Sequence, residues 1–108
     1  MKRLFVFAVI ILLAFNFNGC LKDVSETHHD FVGYWHGFNT YLYIMDDGYS
    51  SYFYYDGKHD HRAKGKAIVK KDYLHIGRLK KLKINQYPAR DSFGQWTMIL
   101  NNLDYYKQ

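Results

Sequence analysis

From Val32 onward, apolar and polar positions alternate every second residue, the period of a strand with one buried face, and turn residues interrupt the pattern at short intervals. Asp47-Gly48 carries the chemistry of a two-residue hairpin turn. Placed between Tyr41–Asp46 and Tyr49–Tyr55, it sets Ile44 opposite Ser51, Leu42 opposite Phe53, Tyr43 opposite Tyr52 and Tyr41 opposite Tyr54. That register gives a mostly aliphatic face and a ladder of four tyrosines on the other. A second hairpin at Lys71-Asp72 matches Val69 with Leu74 and Ala67 with Ile76, leaving Lys70 beside Tyr73 and Ile68 beside His75. The following connection needs an odd count: a three-residue Gly77–Leu79 loop sets Leu74 against Leu82. Strand Lys80–Gln86 then turns Leu82 and Ile84 inward and Lys81 and Lys83 outward, and Pro88 is expected to end it. A last hairpin at Asn101-Asn102 pairs Leu100 with Leu103 and Met98 with Tyr105, with Trp96 on the same face.

With Val32–Phe38 leading in, the expectation is an all-β domain, a small antiparallel up-and-down meander of seven to eight strands. Closure into a barrel or half-barrel would remove its exposed edges. No stretch downstream of the first twenty residues shows a helical period.

The start of the chain follows other rules. Lys2-Arg3 precedes twelve consecutive apolar residues, Leu4–Phe15. Twelve helical residues rise about 18 Å, short of a hydrocarbon core of about 30 Å, so the run fits the apolar region of a signal peptide rather than a span. Phe17-Asn18-Gly19 stands before Cys20, the only cysteine. This resembles a relaxed lipobox of bacterial lipoproteins. The resemblance implies cleavage before Cys20, lipid on its thiol and a location in the cell envelope. Two or three acyl chains anchor stably where one does not. Leu21 follows the cysteine where some families carry a sorting Asp, which favours the outer membrane over the inner. The division expected is therefore a leader over 1–19, a lipidated Cys20 with a polar tether to Phe31, and a β domain over 32–108. Through Cys20 the chain's first partner is a membrane.

Gly33-Tyr34-Trp35 at the head of the first strand resembles the Gly-x-Trp that opens lipocalins and lipocalin-like domains. The hairpin order after it is similar to small lipocalin-like bacterial lipoproteins. That resemblance implies a barrel with a ligand site. At this length, and with no second cysteine for a disulfide, two outcomes stay open, a barrel with a ligand cavity and one filled by its own side chains.

Composition sharpens this picture in two places. Eleven Tyr, eight Phe and two Trp make the chain 19% aromatic, the bulk that a small domain without disulfides needs for its core. Tyr41, Tyr43, Tyr52 and Tyr54, together with Trp35, are the candidate ligand-binding residues, because phenol rings offer an apolar face and a hydroxyl to sugars, small apolar ligands and protein partners alike. The net charge of +5 falls to +3 without Lys2 and Arg3, and it is unevenly spread. Arg62–Lys83 holds nine Lys or Arg against Asp72 alone. Lys64, Lys66, Lys70, Lys81 and Lys83, with Lys80, Arg62 and Arg78 nearby, form a candidate basic surface for headgroups or acidic polysaccharide, or a solvated outer face.

Catalytic motifs are not found. Trp35 stands where a nucleophile elbow would place Ser, and there is no His-Glu-x-x-His or phosphate-cradling glycine loop. His59 and His61 flank Asp60 and share a side in extended chain, but two ligands do not define a metal site. The expectation is a non-catalytic, monomeric binding module without metal or cofactor, taking a small apolar or sugar ligand or an envelope protein, and no nucleic acid. The alternative is a structural or inhibitory envelope protein acting by protein contact alone.

Overall fold

The computed structural model describes residues 22–108; the leader and Cys20, to which the lipid is assigned, lie outside them. Eight antiparallel strands follow one another around a closed barrel, each hydrogen-bonded to the next and β8 to β1. They are β1 Gly33–Gly37, β2 Thr40–Ile44, β3 Tyr49–Tyr55, β4 Asp60–Lys70, β5 Tyr73–Ile76, β6 Lys80–Arg90, β7 Trp96–Leu100 and β8 Leu103–Lys107. Among the described residues no helix is long and apolar enough to cross a membrane.

Three of the four turns read from the sequence form as expected. Lys71 and Asp72 both adopt positive φ (53° and 62°), as do Asn101 and Asn102 (50° and 63°), the signature of tight two-residue hairpins. The resulting pairs include Val69 with Leu74, Ala67 with Ile76, Leu100 with Leu103 and Met98 with Tyr105. Gly77–Leu79 is a three-residue loop, and Leu74 faces Leu82.

The Asp47-Gly48 hairpin differs by one residue. Met45 N–H donates to Tyr49 O and Gly48 N–H to Met45 O, both at 2.9 Å, so the loop is Asp46–Gly48 with Gly48 at φ 87°. The glycine is obligatory in more than conformation: a Cβ there would fall 2.2 Å from Cγ of Asp23. Leu42 therefore pairs with Tyr52, Tyr43 with Ser51 and Tyr41 with Phe53. A slip of one residue reverses a strand's faces. Tyr52 and Tyr54 consequently turn into the barrel while Tyr41 and Tyr43 stay outside, and the four-tyrosine ladder does not exist.

Two further expectations are corrected. Pro88 does not end β6. The ladder to β7 is irregular between Gln86 and Ala89, and there the missing N–H of Pro88 breaks no regular pair. The stretch before β1 is not a tether over its whole length. Val24–Thr27 forms one turn of helix, α1, and His29–Phe31 a 3-10 turn; both lie across one end of the barrel. Asp23 caps α1, its carboxylate accepting from the N–H and hydroxyl of Ser25. Val24 and Phe31 are 0% and 1% exposed and belong to the core.

That core is continuous. Trp35 is fully buried in it, its indole Nε1 donating to Phe31 O at 2.9 Å and so tying β1 to the end cap. Leu42, Ile44, Leu74, Ile76, Leu82 and Leu100 join it in the core from four strands. Small inward residues on β4, Ala63, Gly65 and Ala67, make room for Tyr52 on β3, whose Cα partner is Ala63. A barrel this narrow is filled by its own side chains.

Candidate binding surface

At the end opposite α1 the filling turns polar. Thr40 Oγ1 donates to Phe53 O at 2.8 Å and lies 2.7 Å from the Tyr105 hydroxyl, tying β2 to β8 across the interior. Burial pushes the Tyr52 and Tyr105 hydroxyls up from the ordinary phenol value, so both remain protonated donors. Above them is an open cup of about 290 Å³ lined by Tyr52, Tyr54, His61, Lys80, Asn101 and Leu103. Lys80 Nζ sits 5.4 Å from the Tyr52 ring centre. The cup is open to solvent, and Tyr52 and Tyr105 are buried beneath it.

Outside, β1 to β3 carry an aromatic wall. The rings of Tyr34 and Tyr41 stack at 6.2 Å and 10°, and those of Tyr41 and Phe53 at 5.2 Å and 17°. The Arg62 guanidinium extends the row, 4.8 Å above Phe53, and Tyr43 meets Tyr34 edge to face at 5.7 Å. Stacked rings use their faces on each other and present edges and hydroxyls to solvent. The wall therefore suits hydrogen bonding and edge contact better than flat stacking on a sugar. Tyr34 and Phe53 were not singled out in the sequence; their role depends on the β2–β3 register, which decides that Phe53 faces out.

The basic positions fall on the outer side of the next three strands. Lys64, Lys66 and Lys70 on β4 and Lys81 and Lys83 on β6 are all exposed. Between the two strands stands Tyr73 of β5, with Lys81 Nζ at 4.8 Å and Lys83 Nζ at 5.1 Å from its ring centre. Two ammonium groups over one phenol hold the patch in a fixed arrangement. Lys66 is partly neutralised: its Nζ lies 3.6 Å from Asp23 Oδ2 and donates to Asp47 O at 2.5 Å. Lys80 departs from its neighbours, pointing into the mouth, because it shares the inward parity of Leu82.

Of the five residues proposed for ligand contact, the structure thus brings together Tyr52 with Tyr54 at the mouth and Tyr41 with Tyr43 on the wall. Trp35 is out of reach of either. His61 Nε2 is 2.8 Å from Asp56 Oδ2, and among the described residues no three metal-ligating side chains converge. Compared with known families, curated proteins and solved structures, the chain matches no family model, no curated protein and no solved structure.

Proposed function

We propose that the chain is an exported bacterial lipoprotein, held to the outer membrane by lipid on Cys20, whose lipocalin-like barrel is a non-catalytic module binding an envelope partner through its outer surface. The observation that carries this reading is the filled interior. Side chains occupy the barrel from Val24 and Phe31 at one end to the Thr40–Tyr105 contact at the other, while the aromatic wall and the cations stand outside. The buried core residues take up the inside of the barrel below the open mouth, whereas aromatic and Arg side chains at a surface are what partner interfaces are rich in. The anchor follows from the Phe17–Cys20 sequence and the apolar leader.

The experiment is photo-crosslinking in the native cell, with a benzophenone amino acid at Tyr43 on the wall or at Leu74 in the core. A discrete adduct with one envelope protein from position 43, absent from position 74, is the expected result. No discrete adduct from position 43 or any other outer position contradicts the reading.

A second reading has its own observation: Tyr52, Tyr54, Lys80 and Asn101 line the mouth together, with Lys80 Nζ over the Tyr52 ring. A small sugar or other polar ligand would bind there. Thermal-shift screening with saccharides tests it, and any stabilisation found should be lost in Lys80→Ala.

A further inference from the structure

β4 has 11 residues and its neighbour β5 only four. β5 covers β4 from Ala67 to Lys70; Gly77 N–H then donates to Lys66 O at 3.1 Å, and the chain turns away through Arg78 and Leu79. From Arg62 to Lys64 the edge of β4 facing away from β3 has no neighbouring strand among the described residues. Strand alternation identifies the groups left there. Ala67 N–H points to β3, donating to Gly48 O at 2.9 Å, while Lys66 O points to the β5 side. Residues two and four before Lys66 share its direction, so the N–H of Lys64 and the N–H and C=O of Arg62 open into the gap, while the Lys64 carbonyl lies against Gly77. Beside them is a cleft of about 480 Å³ with Ala63 and Ile76 among its lining. Arg62, Lys64, Arg78 and Lys80 surround it, and Leu79 at its rim is 101% exposed. Asp60, 3.7 Å from Arg62, is the acid that approaches one of these cations among the described residues.

We propose that this open edge of β4 docks an extended acidic peptide segment of the envelope partner, which adds as a short strand beside Arg62–Lys64. The inference rests on the surface-contact reading above. The unpaired backbone supplies alternating donors and acceptors, the pattern that strand addition uses. Four cations select negative side chains, and the apolar floor accepts the alternate residue of an acidic–apolar repeat. Lysines at a sheet edge also keep copies of the same chain apart, since like charges would meet; the same charges admit an acidic strand. A polyanion without a peptide backbone satisfies the cations but has no N–H donor for the carbonyl of Arg62 and no repeating carbonyls for the two N–H groups. Strand and polyanion are thereby separable.

The test is amide hydrogen exchange by NMR on the full chain in detergent, titrated with an alternating Glu-Val peptide, an alternating Lys-Val peptide and polygalacturonate. The Glu-Val peptide should slow exchange at Arg62 and Lys64 at least about tenfold, and the other two probes should not. Lys64→Pro, which removes one donor at an edge position, should weaken the Glu-Val peptide about tenfold. The pair Arg78→Glu with Lys80→Glu, outside the hydrogen-bonded edge, should abolish its preference over the Lys-Val peptide and carries the test if Lys64→Pro fails to fold. The inference is overturned if no Glu-Val peptide binds, if Arg62 and Lys64 exchange unchanged when it does, or if polygalacturonate protects them equally. Discrete adducts persisting from position 43 in that event would leave the broader reading standing; their absence would remove both.

Discussion

Gly65 and Gly77 meet backbone to backbone: a Cβ on Gly65 would fall 2.5 Å from Gly77 Cα. The contact marks where β4 leaves its pairing with β5, and it sets one side of the open edge. Gly65 also has φ 146°, a conformation L side chains rarely adopt. Gly65→Ala should therefore lower stability by about 2–4 kcal/mol, from backbone strain plus a clash that no flexible side chain can relieve. Urea denaturation gives the value; an unchanged midpoint would mean the two segments are not in contact.

Thr40 and Tyr105 share a buried hydroxyl pair that no apolar substitution reproduces. Thr40→Val should cost about 1–3 kcal/mol, since it strands the Tyr105 hydroxyl among apolar neighbours. Tyr105→Phe should cost less, because Thr40 Oγ1 still donates to Phe53 O. The double variant should cost less than the sum, because the Thr40–Tyr105 contact is then removed only once. A strictly additive cycle would show that the two groups do not interact.

Phe31 precedes β1 and yet is 1% exposed, packed on the barrel end with its carbonyl bound to Trp35. Phe31→Ala should destabilise by about 3–5 kcal/mol. If residues before Val32 served only to space the domain from a membrane, the same change would leave thermal unfolding where it is.

Two carboxyls make the fold acid-sensitive. The His61 side chain, then the backbone N–H groups of His59 and Lys58, hold Asp56 down to about 2, from 3.8. The Ser25 hydroxyl holds Asp23 below its ordinary value as well. A folded-state value below the unfolded one stabilises above the unfolded value, and the contribution fades as pH falls through the folded one. Stability should therefore be flat down to about pH 4 and fall between about pH 4 and 2. Urea midpoints across that range check it, and Asp23→Asn with Asp56→Asn should flatten the fall.

The strands and most of their partners are legible in the sequence because each hairpin matches apolar residues on one face only when its turn is counted correctly. Asn101-Asn102 and Lys71-Asp72 permit one count. Asp46-Asp47-Gly48 permits two, and both leave an apolar face, since either Tyr52 with Tyr54 or Phe53 can pass for core. What decides is Asp23, distant in sequence, whose carboxylate packs where Gly48 has no Cβ. The same distance hides the end cap: Val24 and Phe31 stand seven residues apart in a polar stretch, and only the barrel end they share makes them core. The basic face was legible by parity, whereas Tyr73 as its centre and Lys80 as its exception needed the strand neighbours. The open edge of β4 follows from unequal strand lengths, which no local pattern states.

The central claim is that the barrel is full and acts from outside. Titration of the full chain with a fluorescent fatty acid, followed by tryptophan emission, tests it most directly, because Trp35 is fully buried inside the barrel. The account predicts no saturable binding and an unmoved Trp35 signal. Saturation at one ligand per chain, with quenching that disappears in Trp35→Phe, would contradict it.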